Sequence, residues 1–333
     1  MSAPRLAICI PAYNQPEFLR EALTSLCEQD LDHDQFVVAI SDDASPTPLD
    51  DVIDAFRSRL PILFHRHARN LGHLANWDAA WQLVDAPFIS FLGHDDVVAP
   101  GHLARALAAI EGDPDTVLVS SLIVCQSHPG ALNTHPHGQL LRGSAATSFT
   151  KPYQWDRAEW MALGLVTTPN SLIGSVFRTA AFRKCRDWMS YPIWHDRLML
   201  AEMGVHGNVV TLPWIAGQYR TGDWQLSSRL WQADMSEFKQ ASQLVLGWCV
   251  AHAIPVLDFW VDHICAASDS QRIVYLQMLR GALDATQFAD LKRQCESRLG
   301  SRVNLSRLER LGIPAPIAEL LRIVDRRLMR RNS

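Results

Sequence analysis

Over the first 125 positions, short runs of consecutive apolar residues alternate with stretches whose apolar positions recur every three or four residues. That alternation is the pattern of strand-helix-strand units on a mostly parallel sheet. The runs are Leu6–Ile10, Phe36–Ser41, Pro61–His65, Pro87–Leu92 and Thr116–Val124. Between the first two, Phe18, Leu19, Ala22, Leu23 and Leu26 share a helical face, and Pro16 suits a first-turn position. Leu74, Trp77, Ala80, Trp81 and Val84 predict a helix over about 74–84, and Pro100–Ile110 predicts another. From Gln126 to Lys151 the periodicity stops in favour of His, Gly, Pro, Ser and Thr, which predicts a long surface loop. Regular elements resume with a helix at Arg157–Leu165, a strand at Ser171–Phe177, a helix at Ile193–Met203 and a strand at Asn208–Leu212. Beyond Trp231 the pattern is almost entirely helical, punctuated by Pro255, Pro314 and Pro316, and no internal repeat is present.

Composition narrows the class. With 333 residues, 48% hydrophobic and 20% charged, the chain can bury a large core, which excludes disordered, collagen-like and mucin-like readings. No apolar stretch reaches the roughly eighteen residues of a membrane span, and the start, Met1-Ser-Ala-Pro-Arg5, lacks the features of a secretion signal. Cysteines 9, 27, 125, 185, 249, 265 and 295 form no CxxC pair and read as reduced thiols, so a cytoplasmic protein is expected. Residues 1–100 carry 15 acids against 6 bases, and the remainder 20 against 25, so nucleic acid is not an expected ligand of the first half. The end of the chain is different: Arg322, Arg326, Arg327, Arg330 and Arg331 interleave with Leu321, Val324, Leu328 and Met329. Two readings stay open there, peripheral contact with an anionic membrane surface and a solvated terminal helix with its cations at the favourable end.

In an open parallel sheet, ligands bind beyond the carboxyl ends of the strands. The first strand ends in Ile10-Pro11-Ala12-Tyr13-Asn14, the second in Ser41-Asp42-Asp43-Ala44-Ser45 and the fourth in Gly93-His94-Asp95-Asp96. Two acidic pairs thus share one rim. A hard divalent ion such as Mn²⁺ or Mg²⁺, kept partly hydrated and shared with a diphosphate, needs only one or two protein carboxylates. Asp95-Asp96 suits that task.

The succession Ile10-Pro-Ala-Tyr-Asn14, Ser41-Asp-Asp-Ala-Ser45, Arg69-Asn-Leu-Gly72 and Phe91-Leu-Gly-His-Asp-Asp96 resembles family 2 glycosyltransferases of the GT-A fold, in order and in spacing. The resemblance continues more weakly to about residue 230. It implies a Rossmann-like α/β domain over 1–230, with a nucleotide-sugar-binding half (1–125) and an acceptor half (126–230); the helical C-terminal region over 231–333 is read from its periodicity alone and lies outside the resemblance. It implies that Pro11, Ala12 and Tyr13 line the base and ribose pocket and that Asp43 bonds the nucleobase. In His94-Asp95-Asp96, which stands at the DxD-type motif, Asp96 would be the metal ligand and Asp95 would meet the ribose, the donor sugar or the metal. His94 replaces the acidic first member common in the family.

Asn70-Leu-Gly-His-Leu-Ala-Asn76-Trp77 corresponds to a segment often written NxGxxxARN, with Asn70 and Asn76 as the matching polar positions. For Asn70, a helix cap and a ligand role both stay open. Trp77 and Trp81, one helical turn apart, read as core rather than as an acceptor platform. Trp194-His195-Asp196 resembles the acidic pair that supplies the family's base; Asp196 matches the second member and would accept the acceptor's proton, and His195 replaces the first. A helix-start Asp stabilising the dipole is the alternative for Asp196. Gln218-Tyr219-Arg220 resembles the start of the YRxH segment, but Gly222 stands where the histidine would be, with Asp223 beside it. Arg220 would either neutralise the departing diphosphate or form a structural ion pair.

Rival classes fail by absence. Neither GxGxxG nor GxxxxGK[ST] follows the first strand, cysteine and histidine spacings match no structural zinc site, and the QxxRW motif and membrane spans of processive synthases are missing. His128, His135 and His137 read as solvated loop residues. The expectation is therefore a metal-dependent, inverting, non-processive transferase. It would move a sugar from a nucleotide diphosphate sugar to a hydroxyl of a glycan or lipid-linked glycan, in surface polysaccharide or glycoconjugate biosynthesis. It would work in the cytoplasm, peripherally at the inner face of the membrane if the basic end docks there. The competing class is a GT-A scaffold that has lost catalysis, and a homodimer through the C-terminal helices is a further open reading.

Overall fold

The computed structural model describes residues 3–127, 131–134, 151–221, 235–300 and 303–310. The first strands lie where the apolar runs predict: β1 (Leu6–Ala12), β2 (Phe36–Asp42), β3 (Ile62–Arg66) and β4 (Phe88–Phe91). Helices α1 (Pro16–Cys27), α2 (Asp50–Phe56) and α3 (His73–Gln82) connect them. There follow β5 (Val97–Val98), α4 (His102–Glu111), β6 (Thr116–Ser127), β7 (Ala131–Thr134), β8 (Tyr153–Gln154), α5 (Arg157–Val166), β9 (Val176–Arg178), α6 (Thr179–Phe182), α7 (His195–His206) and β10 (Asn208–Thr221). Helices α8 (Met235–Ala251), α9 (Val256–Ala266), α10 (Asp269–Ala282), α11 (Ala285–Leu299) and α12 (Leu305–Arg310) complete the described chain.

The strands form one sheet in the order β3-β2-β1-β4-β9-β6-β10-β5, with β7 added to β6 and β8 to β10. From β3 to β4 all pairs are parallel, whereas β9 is antiparallel to both β4 and β6. The chain winds from β1 outward to β3 and then returns to place β4 on the other side of β1, so the crevice beyond β1 and β4 is the topological switch point.

Alternation along β1 builds the two faces. Leu6, Ile8, Ile10 and Ala12 join the cluster under α1, α2 and α4. Ala7 and Cys9 join a larger cluster that runs through α5 and α7 into the buried residues of α8 to α11. The helical third is capped by its own side chains, with capping boxes at Ser268/Gln271 and Asp284/Gln287. Cys9, Cys27, Cys185, Cys249, Cys265 and Cys295 are free thiols.

Three local expectations change. The strand expected at 171–177 shrinks to β9, because Ser171 Oγ accepts from Ile173 N at 3.1 Å, Ser175 Oγ donates to Ser171 O at 2.6 Å and Gly174 takes a φ of 67°, local bonds that compete with a ladder. The strand expected to end at Leu212 continues to Thr221 through register shifts around Ile215. Part of the expected 126–151 loop is strand: β6 runs to Ser127 and pairs with β7. The rest of that loop with His128, His135 and His137, positions 222–234 with Gly222 and Asp223, and the Arg-rich end over 311–333 lie outside the described residues. Among the described residues no single helix is long and apolar enough to cross a membrane.

Candidate active site

The ends of β1 and β2 are tied to the start of α3. Ala12 O, the last carbonyl of β1, accepts Asp43 N at 2.9 Å and Asn76 Nδ2 at 3.1 Å. Asp43 is 2% exposed, and its carboxylate accepts Leu71 N at 2.5 Å and Gly72 N at 3.1 Å. Asn70 Nδ2 donates to Asp43 O at 3.2 Å, while its Oδ1 accepts Gly72 N. One buried carboxylate therefore fixes the loop that opens α3, and Asn70 acts there as a turn residue. Pro11 is buried and Tyr13 is exposed, leaving the Tyr13 ring free at the mouth of the crevice. Asn76 is buried, and its Oδ1 has no hydrogen-bond partner.

Next to Asp43, Asp42 makes the turn: its Oδ1 accepts from Ser45 N at 3.0 Å and from the Ser45 hydroxyl. That hydroxyl in turn accepts Asn14 N, and Arg66 closes the other side with Nε 3.6 Å from Asp42 Oδ2. Asn14, Gln15 and Ala44 all take positive φ, placing left-handed backbone at the ends of both strands.

Across the crevice, β4 leads into Gly93-His94-Asp95-Asp96. A Cβ on Gly93 would lie 2.6 Å from Asp96 Oδ2 and 3.0 Å from Asp95 Oδ1, so both carboxylates fold over the space that glycine leaves. Asp96 is 4% exposed and its Oδ1 accepts Arg220 N at 3.0 Å. Burial, then the Asp95 charge, pushes the Asp96 carboxyl well above the usual carboxylate range, the opposing pull of Arg220 being smaller. Two crowded acidic groups, one of them buried, fit a partly hydrated divalent ion, which relieves the repulsion and needs no further protein ligand. His94 does not join them: its Nε2 lies 3.1 Å from Gln15 Oε1, and burial lowers its pKa and favours the neutral ring. The Arg220 guanidinium points to α1, pairing with Glu21 and covering the Phe18 ring at 4.8 Å.

The Gly93 contact makes a separate prediction. Gly93→Ala would push the carboxylates apart rather than move backbone, so Mn²⁺ affinity by calorimetry is expected to fall about 10–100-fold with the melting temperature nearly unchanged. Unaltered Mn²⁺ affinity would remove the Asp95–Asp96 pair from the metal's shell.

Helix α7 brings Asp196 to the same neighbourhood. His195 at its first turn stacks edge-on against His73 at 5.3 Å and Trp77 at 5.5 Å, and both histidines bond Pro192 O. The start of α3, held by Asp43, therefore touches the start of α7. Trp77 also packs on Phe91 and Trp81 on Phe182, as core residues do. Asp196 Oδ1 accepts Arg197 N at 2.7 Å, and burial raises its pKa to about 6 against the lowering pull of Arg197. His195, by contrast, is pushed down to about 3 by burial and by His73, so it is a neutral ring that adds no positive charge beside the Asp196 carboxylate.

Arg197 belongs to no sequence motif, yet it is central here. It is fully buried, donating from Nε to Gly164 O at 2.7 Å, and from Nη2 to Leu165 O at 2.6 Å and Ser242 Oγ at 2.8 Å. Its guanidinium lies over Phe238 at 4.6 Å and Trp194 at 5.5 Å. A buried cation directly after Asp196 ties α5, α7 and α8 together; its only sequence signal is an Arg in the apolar face of a helix.

The model of glycosyl transferase family 2 matches residues 7–186. Abequosyltransferase RfbV of Salmonella typhimurium is 31% identical over 115 residues, 34% of this chain and 34% of RfbV, so the alignment spans about a third of that relative. The crystal structure of S. aureus TarS 1-349 superposes with a TM-score of 0.55 at 15% identity, covering 88% of this chain and 91% of that one. The mannosyltransferase PcManGT from Pyrobaculum calidifontis, in complex with GDP-Man and Mn²⁺, gives a TM-score of 0.55 at 12% identity over 99% of this chain and 88% of that one. At such identities the structures establish the GT-A glycosyltransferase fold. With the family model covering more than half of its length, the chain belongs to glycosyl transferase family 2.

Proposed function

We propose that this chain transfers a sugar, with inversion and non-processively, from a nucleoside diphosphate sugar to a hydroxyl of a glycan or lipid-linked glycan. The observation that carries the proposal is the contact between the Asp43-bound start of α3 and the Asp196-bearing start of α7, through His73 and His195. In this reading, donor-side and acceptor-side groups share one crevice at the switch point of the sheet. Support for the donor class comes from relatives: TarS has been solved with UDP and with UDP-GlcNAc, and PcManGT with GDP-Man and Mn²⁺.

In this reading Pro11, Ala12, Tyr13 and Asp43 hold the nucleoside, with Asn70 and Asn76 shaping the wall and Arg220 N–H positioning Asp96. Asp95 and Asp96 would hold Mn²⁺ or Mg²⁺, which, when bound, neutralises the diphosphate as it departs. Asp196 accepts the acceptor's hydroxyl proton while that oxygen bonds to the anomeric carbon and the bond from that carbon to the diphosphate breaks, a single displacement that inverts the centre. Work in surface polysaccharide or glycoconjugate assembly on the cytoplasmic side, membrane contact through the Arg-rich end and pairing through the helical third belong to the same proposal. ExoW of Rhizobium meliloti, named for succinoglycan biosynthesis, is 36% identical over 112 residues and favours the polysaccharide setting.

The test is a thermal-shift panel of UDP, GDP, CDP and dTDP, each with and without Mn²⁺. One diphosphate is expected to stabilise the protein only with metal, by about 2.7 kcal/mol at a hundred times its dissociation constant. If none does so, with the protein melting cooperatively, a non-catalytic scaffold becomes the better reading.

A further inference from the structure

We propose that Cys185, Glu202 and His206 form a site for a zinc-class divalent ion, separate from the Asp95–Asp96 pair. Cys185 lies between α6 and the 3₁₀ turn at Asp187–Ser190, while Glu202 and His206 stand one turn apart near the end of α7. Their ligand atoms all lie within 4.8 Å of one another, and among the described residues no other trio of His, Cys, Asp or Glu side chains converges in this way. A tetrahedral ion with bonds of about 2.0–2.3 Å holds its ligands roughly 3.5 Å apart, so small side-chain movements close the shell.

Unmet polar groups point to the same place. Cys185 is fully buried and Glu202 is 7% exposed, yet Glu202 Oε2 and His206 Nε2 are both buried without a hydrogen-bond partner. Orphaned acceptors of this kind are rare in folded proteins, and one cation would satisfy both. The thiol bonds only weakly, to Ala181 O and to Met203 Sδ at 3.7 Å each.

The donor set selects the ion. One sulfur, one imidazole nitrogen and one carboxylate oxygen suit Zn²⁺, whereas Mg²⁺ and Ca²⁺ prefer oxygen alone. Without an ion, burial keeps the Cys185 thiol protonated and raises the Glu202 carboxyl to about 8, so binding brings in a dication and releases these two protons to solvent. His206 closes α7, where the helix dipole also favours a cation. Exposed Asp187, whose charge acts on both Cys185 and Glu202, or a water would take the fourth position.

By helix rise, Glu202 and His206 lie roughly 9 and 15 Å along α7 from Asp196. The ion would therefore pin the far end of the base-bearing helix to the segment after α6, outside the donor crevice.

Cobalt titration of the full chain tests this, since a thiolate bound to Co²⁺ gives a near-ultraviolet charge-transfer band that carboxylate sites do not. One equivalent is expected to develop the band, and Zn²⁺ to abolish it by displacement. The band should vanish in Cys185→Ser and persist in Asp96→Ala. In His206→Ala, altered at a half-buried position and so expected to fold even if the cysteine variant does not, Zn²⁺ affinity should drop at least about tenfold. Absence of the band in saturated, folded wild-type protein, or its survival in Cys185→Ser, or unchanged Zn²⁺ affinity in His206→Ala, would overturn the proposal.

Discussion

Asp96→Ala is expected to abolish sugar transfer while the metal-free protein melts at or above the wild-type temperature. The two halves of that outcome have one cause. Asp96 sits buried beside Asp95, and both effects disfavour its charge, so the carboxylate weakens the metal-free fold. The sign is clear: a carboxyl whose folded pKa lies above its unfolded value takes up protons on folding, and its contribution declines as pH rises above the unfolded value. Alanine removes that burden, at the loss of one hydrogen bond from Arg220 N. The same substitution strips the ion of its buried ligand. If that ion supplies several kcal/mol to the departure of the diphosphate, turnover should fall at least about a thousandfold. Turnover within a few-fold of wild type would refute the metal assignment; a collapsed melting transition would show Asp96 to be a structural residue.

The second large effect concerns Asp196→Asn. Asparagine keeps the size of the side chain and an oxygen to accept Arg197 N, so donor binding should be unchanged. Transfer should drop by about 10²–10⁴-fold, the scale of general-base catalysis. A diagnostic feature is the pH profile. Burial raises Asp196 to about 6, so the wild-type rate should climb as pH rises through about 6 and level off above it. The asparagine variant should lack that limb. In stability the sign is reversed: Asp196 favours the fold at low pH and its contribution is lost as pH rises from the unfolded carboxylate value to about 6. A variant with wild-type turnover and an intact acid limb would move the base to another residue.

Which parts were legible follows from the range of the interactions. Strands β1, β2 and β4 are buried on both faces and stand out as apolar runs, whereas β3, at the edge of the sheet and largely exposed, shows only through Ile62-Leu63-Phe64. Helix α2 was not foreseen, since it spans only seven residues and opens on Asp50-Asp51, and β5 is two residues long. In the site, sequence placed Asp43, Asn70 and Asn76 near the donor but gave no hint that the Asp43 carboxylate would hold Leu71 and Gly72 N–H, 28 and 29 positions away. Arg197 is illegible for the same reason: its partners lie 33 and 32 positions before it, on one helix, and 45 positions after it, on another. In the Cys185, Glu202 and His206 trio only the i,i+4 spacing of Glu202 and His206 is visible in sequence, because a turn brings Cys185 to the helix end.

Arg197 also bears on how such a chain can diverge. Its guanidinium is satisfied jointly by backbone carbonyls of α5 and a hydroxyl of α8, and it is roofed by Phe238. A buried charge that loses one of several partners typically becomes a liability of a few kcal/mol rather than a neutral change. Substitutions at 238 or 242 are then expected to be tolerated only alongside changes at 197, next to Asp196. Sequence drift in the helical third is thereby epistatically bound to the start of α7, and a chimaera joined between α7 and α8 would inherit the cation from one parent and part of its cradle from another.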